Sequence, residues 1–277
     1  MAITAADVKK LREATGAGMM DCKNALTETE GDFEKAVDWL RKKGQKVADK
    51  RSNREANEGY VLAKTNTDKT FAAVFTLNCE TDFVAKNNDF VQFANKLMDL
   101  VMEHKPANIE AFKALSLEGR TVADHINEMV GKIGEKIDLN EYHIIEAPAV
   151  FAYNHYGNRL ATIMGLNKTD VTIVEQIGKE VNMQIAAMAP IAISKDDVDE
   201  ATKQHELEIG KEQARQEGKP EAMLEKIAIG KLNKFFKEKI LLNQDFVRDN
   251  KMTVGQYLAS HDKTLAVTSF YRVSLAD

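Results

Sequence analysis

Residues 61–78 align without gaps onto residues 150–167, and this internal repeat restricts the fold more than any other feature of the chain. Leu62-Ala63 falls on Phe151-Ala152, Phe71-Ala72-Ala73-Val74 on Leu160-Ala161-Thr162-Ile163, and Leu77-Asn78 on Leu166-Asn167. Each copy reads as a strand, a polar turn (Thr67-Asp68-Lys69 or Tyr156-Gly157-Asn158), a second strand, a corner and a helix with one apolar face. A lone hairpin is only marginally stable in water, so each copy needs its helix laid across one side. The predicted fold class is therefore α+β, with a core of two repeated antiparallel sheet-and-helix units. The chain has 277 residues, 44% of them hydrophobic, which is ample for such a core and for further modules.

The flanking segments complete the domain plan. Residues 1–50 read as a small three-helix module. Thr4 is placed as an N-cap with Asp7 three residues on, and Gly16-Ala17-Gly18 stops the first helix. Met19 opens the second, and Phe33, Ala36, Val37 and Leu40 lie at helical spacing on one face of the third, which Gly44 is expected to end. Residues 51–58 follow as a linker, 59–147 as the first core unit, and 148–195 with 239–277 as the second. Residues 196–238 are rich in Glu, Lys, Gln and Ala, broken once at Gly218-Lys219-Pro220, and read as an inserted helical hairpin. Its thin stripe of Leu224, Ala228, Leu232 and Phe235 suits two helices zipped together, or a pairing surface for a second chain. Ile240-Leu241-Leu242 and residues 267–273 read as strand-like runs around a short helix at 254–259.

The corners that follow the two repeats differ. The first is Thr81-Asp82-Phe83; the second is Thr169-Asp170-Val171, one residue shorter. The acid recurs and has a structural task, capping the helix that follows. Phe83 does not recur, so the unit can be built without it. Such a corner lies at the surface, where an aromatic ring is either folded back on the core or offered to a partner. The missing counterpart favours the second. Met19 and Met20 pose a similar choice. Adjacent helical residues point about 100° apart, so one can cap the module's core while the other offers a soft, adaptable contact.

Net charge is −5, which argues against a nucleic-acid coat. The basic stretch Lys42, Lys43, Lys46, Lys50, Arg51 and Arg54 leaves a ribosome- or RNA-associated scaffold as an alternative, although no aromatic residues interleave for base stacking. No apolar run approaches the roughly 20 residues of a membrane span. The start, Met1-Ala2-Ile3-Thr4, lacks a signal-peptide pattern, and Cys22 and Cys79 form no CxxC. A cytoplasmic protein with two free thiols is expected. None of the six histidines pairs at a metal-ligand spacing, and no nucleophile-elbow, metalloprotease or dinucleotide fingerprint occurs. Glu80 and Asp82 disfavour a reactive thiolate at Cys79. The residues thus describe a binding protein, with no cofactor, metal or catalytic group expected.

Leu11-Arg12-x-x-Thr15-Gly16-x-Gly18-Met19-Met20-Asp21-Cys22-Lys23-x-Ala25-Leu26 resembles the N-terminal signature of the bacterial elongation factor Ts family. Leu77-Asn78-Cys79-Glu80-Thr81-Asp82-Phe83-Val84-Ala85-Lys86 resembles its second signature. Thr76 stands where that family usually has Glu. The resemblance covers nearly the whole chain. It implies a guanine-nucleotide exchange factor without covalent chemistry, whose partner is GDP-bound elongation factor Tu. It implies partner-binding roles for Arg12, Met19 and Met20 in the module, for Thr81, Asp82, Phe83 and Val84 at the corner, and for His155 on the second copy's turn. It also implies self-association through residues 196–238. Some family members carry an extra C-terminal helical module, and this chain is expected to end before it.

Overall fold

The computed structural model describes residues 3–276; Met1-Ala2, where the reading of the chain's start falls, and Asp277 lie outside the described residues. Helices α1 (Ala5–Thr15), α2 (Met19–Glu28) and α3 (Phe33–Arg51) precede the hairpin β1 (Glu58–Thr65)–β2 (Phe71–Cys79). The short α4 (Asp82–Ala85), α5 (Asn88–His104), α6 (Ile109–Ala114), the two-residue strands β3 (Ser116–Leu117) and β4 (Arg120–Thr121), α7 (Val122–Ile133) and β5 (Ile137–Glu146) follow. The second hairpin, β6 (Ala149–Asn154)–β7 (Leu160–Leu166), leads into α8 (Val174–Met188), then α9 (Glu200–Gln216) and α10 (Glu221–Lys239). Strands β8 (Asp245–Phe246) and β9 (Asp249–Thr253), helix α11 (Val254–His261) and β10 (Val267–Ser274) end the chain. The fold is α+β with small antiparallel sheets, as the repeat predicts. Two compact units result: one contains α1–α7 and most of β5, the other the β1–β2 turn and the chain from Ile144 to Arg272.

The repeat extends to atomic detail. The sheets have the orders β1-β2-β5 and β10-β7-β6, so each hairpin's second strand is central and is joined by a strand from later in the chain. β6 and β7 pair antiparallel from Ala149↔Leu166 to Asn154↔Ala161. In the first turn the Asn66 N–H donates to the Phe71 carbonyl and the Lys69 N–H to the Asn66 carbonyl; in the second, His155 donates to Leu160 and Asn158 to His155. Lys69 (φ 53°) and Asn158 (φ 52°) occupy the same left-handed position, the last residue of the tight turn, from which the chain enters the second strand. The matched Asn78 and Asn167 both tie strand ends with their amides. Asn78 donates to the Glu58 carbonyl, and Asn167 donates to the Thr264 carbonyl and accepts from the Ala266 N–H.

The caps of the module form as its pattern predicts, with one exception in the third helix. Thr4 and Asp7 form a reciprocal capping box, Gly16 closes α1 in the left-handed region, and Asp32 caps α3. Val8, Leu11, Cys22, Ala25, Leu26 and Ala36 form the core. The exception is Gly44, which does not end the third helix; α3 continues to Arg51. Gly44 is buried where α3 crosses α7. A Cβ on Gly131 would lie 2.6 Å from the Gly44 Cα, and one on Gly44 would lie 3.2 Å from the Asn127 carbonyl. The glycine is there for the close approach of two helices, not as a stop.

In the other unit α8 packs on β6 and β7, burying Ile177, Val181 and Ile185 with Phe151, Met164 and Leu166. α9 and α10 form the expected hairpin, turning at Gly218-Lys219-Pro220 and burying Leu224 and Ala228 between them. Ile240-Leu241-Leu242 is not a strand. Ile240 bridges Ala192, the Leu241 and Leu242 N–H groups donate to the Ala192 and Ile193 carbonyls, and Leu241–Asn243 is a turn of 3-10 helix, so the apolar run fills a core without forming a regular strand. No described helix is long and apolar enough to cross a membrane.

Candidate functional site

Two exposed features dominate the unit that contains the module. The first is a groove of about 540 Å³ on the module, whose lining includes Ile3, Val8, Met19 and Met20 together with Lys9, Arg12 and Lys23. It brings together the three module residues singled out from the sequence. α2 turns Cys22, Ala25 and Leu26 inward, while Met19 lies one turn earlier, past the end of that core. Met19 and Met20 are 58% and 64% exposed, so the expectation that one would cap the core gives way: both face out. Flexible thioethers beside a guanidinium suit an apolar helix surface with a polar flank.

The second feature is the corner after β2. Leu77 and Cys79 are buried at its foot, and the Cys79 thiol donates to the Thr81 carbonyl. Burial, and then the Glu135 charge, push that thiol up to about 12; the adjacent acids named from the sequence are not the main cause. Thr81 is the N-cap of α4, its hydroxyl oxygen accepting from the Val84 N–H. Asp82, expected to cap, instead pairs with Lys86 at 2.6 Å, and that bond holds its carboxyl below the usual range. Asp caps somewhat better than Thr in general, but the residue with extended backbone at the helix start is Thr81, and it takes the role.

Phe83 is 83% exposed, with Val84 partly buried beside it and Ala85 buried beneath. A ring so placed leaves well over 100 Å² of apolar surface in water. The backbone under it is firmly held. Thr81 donates its N–H and its hydroxyl to the two oxygens of Glu135, at 3.0 and 2.7 Å. Glu80 accepts from the Arg51 guanidinium at 2.7 Å and from the Lys136 N–H at 2.6 Å. Burial raises the Glu80 carboxyl, but these two donors outweigh it and leave the group below its ordinary value. Glu135, Lys136 and the role of Arg51 have no local sequence signal; Thr81 and Glu135 are 54 residues apart.

His155 belongs to the other unit. It is exposed on the β6–β7 turn, with the Tyr153 hydroxyl 2.8 Å from its Nδ1. Beside it Tyr156 is 97% exposed, an aromatic in a polar turn that the sequence displays but that pattern reading treats as turn filler. The basic stretch of the alternative reading is partly engaged: Lys43 pairs with Asp21 and Arg51 with Glu80. No group of three His, Cys, Asp or Glu among the described residues could hold a metal ion.

The sequence model of a family described as Elongation factor TS matches residues 80–277. An elongation factor Ts of Amoebophilus asiaticus is 52% identical over 273 residues, covering 99% of both chains. The chain belongs to the elongation factor Ts family. Those of Christiangramia forsetii and Porphyromonas gingivalis are 48% and 49% identical, each over 99% of this chain. The family model takes in the Asp-Phe corner and the His155 turn, and the relatives take in the module as well. As a member of the elongation factor Ts family, the chain is a translation elongation factor.

Proposed function

We propose that the chain is a guanine-nucleotide exchange factor that acts in the cytoplasm on GDP-bound elongation factor Tu, without covalent chemistry. The observation that carries this reading is the exposed Phe83 ring on a corner whose backbone is held from two sides. A GTP-hydrolysing switch holds its nucleotide through a phosphate-cradling loop and a Mg²⁺ fixed by side chains. A ring wedged between helices behind that site shifts the cradle and the Mg²⁺ ligands without touching the nucleotide. Asp82, paired with Lys86, orients the wedge, and Thr81 and Val84 shape its foot. The module groove of Arg12, Met19 and Met20 supplies affinity, and His155 gives a separate contact from the other unit.

The driving force is tighter binding of the distorted partner than of its GDP-bound form. Linkage makes the effect mutual: the factor weakens GDP, and GDP weakens the factor by the same ratio. Purified elongation factor Tu loaded with a fluorescent GDP tests the reading. Addition of this chain should accelerate release, and excess GDP should dissociate the pair. Release at the intrinsic rate, or binding indifferent to GDP and steeply salt-dependent, contradicts it. The α9–α10 hairpin pairs two copies in this reading, supported by Met223 and Ile229, each 48% exposed on α10. A mass independent of concentration would remove that part.

A further inference from the structure

We infer that Glu135 and Arg51 are positioning residues that brace the Phe83 corner against the load of prying a partner open; the inference rests on the exchange reading above. α4 has four residues, too few to be stable alone, and the Phe83 ring is mostly in water. The ring's stiffness therefore comes from the backbone beneath it. That backbone hangs on two carboxylates. Glu135 takes both donors of Thr81, and Glu80 takes the Arg51 guanidinium and the Lys136 N–H. The first ties the corner to the connection between α7 and β5. The second ties it to the last residue of α3, the helix that also carries the module.

Bonds to ionised groups are short and directional. Partly exposed ion pairs such as Arg51–Glu80 add little to stability, so their main effect is on geometry. A corner that yields lets binding energy relax within the factor, leaving the partner undistorted. Loss of the brace should therefore lower the maximal rate of release and leave the half-saturating concentration, set largely by the module, nearly unchanged.

The experiment is GDP release from elongation factor Tu, measured over a range of factor concentrations for wild type, Glu135→Ala, Glu135→Gln, Arg51→Met, Phe83→Ala and the Glu135→Ala/Phe83→Ala pair. Glu135→Ala should lower the maximal rate about tenfold, and Arg51→Met by a smaller factor, with the half-saturating concentration moving less than about twofold. Glu135→Gln should recover part of the loss, because its amide oxygen still accepts from the Thr81 N–H. In the Phe83→Ala background Glu135→Ala should cost nothing further, since both act through one ring. If Glu135→Ala proves unstable, Glu135→Gln and Arg51→Met carry the same comparison. Unchanged maximal rates in the brace variants, or equal losses with and without Phe83, overturn the brace alone. A silent Phe83→Ala overturns the wedge, and the brace with it.

Discussion

The corner after β2 and the corner after β7 start from the same plan and end with opposite faces. In the second, Val171 is 8% exposed and belongs to the core that α8 closes over β6 and β7. Its grip is on the strand end. Lys168, the counterpart of Cys79, pairs with Asp262 at 2.8 Å and bonds the Thr264 hydroxyl, and Asn167 ties the same loop. In the first corner one extra residue lets the chain make the turn of α4, so the hydrophobic side chain stands out where the other copy's goes in. The grip there is on the corner itself, at Glu80 and Thr81. An apolar residue in a loop thus has two destinations, and the placement of the polar bonds around it shows which one the fold has prepared.

The contrast can be tested at several levels. The foot of the first corner is a buried thiol pushed up to about 12, so iodoacetamide at about pH 8 should alkylate Cys79 in the native protein about a thousandfold more slowly than an ordinary thiol. Mass-resolved labelling at the ordinary rate would mean that the corner opens freely. Next, Val171→Ala should destabilise the fold by about 1–3 kcal/mol in denaturant titrations, whereas Phe83→Ala should cost less than about 0.5 kcal/mol. Equal costs would mean that the two side chains are not on opposite sides of the fold's boundary. Replacing Met19 and Met20 together by Ala should raise the half-saturating factor concentration about tenfold while the maximal release rate holds, which separates the groove's task from the ring's.

The smallest effect concerns pH. Glu80 titrates below its ordinary 4.5 in the fold, so its contribution is fully present above that value and is lost as pH falls through the lower, native value. The difference in melting temperature between wild type and Glu80→Gln should therefore shrink as the solution is acidified below about pH 4.5. A difference that grows on acidification would reverse the assigned direction.

Much of this was readable beforehand, for identifiable reasons. The hairpins declare themselves because apolar strands and polar turn residues are local signals. The exposure of Phe83 followed from comparing two copies within one chain. What failed was long-range. A glycine after an apolar stripe reads as a helix stop, and nothing near Gly44 reveals that Gly131 needs the space. An apolar triplet such as Ile240-Leu241-Leu242 fits any buried conformation, so its 3-10 turn is decided by what it packs against. The partners of Thr81 and Glu80 come from distant segments, and no pattern around the corner names them.

The most direct trial is stopped-flow release of fluorescent GDP from elongation factor Tu at saturating factor, comparing wild type with Phe83→Ala. The maximal rate should fall about a hundredfold, as for loss of an interface hot spot, while the melting temperature stays where it was. A Phe83→Ala protein that releases GDP as fast as wild type at saturation would contradict it.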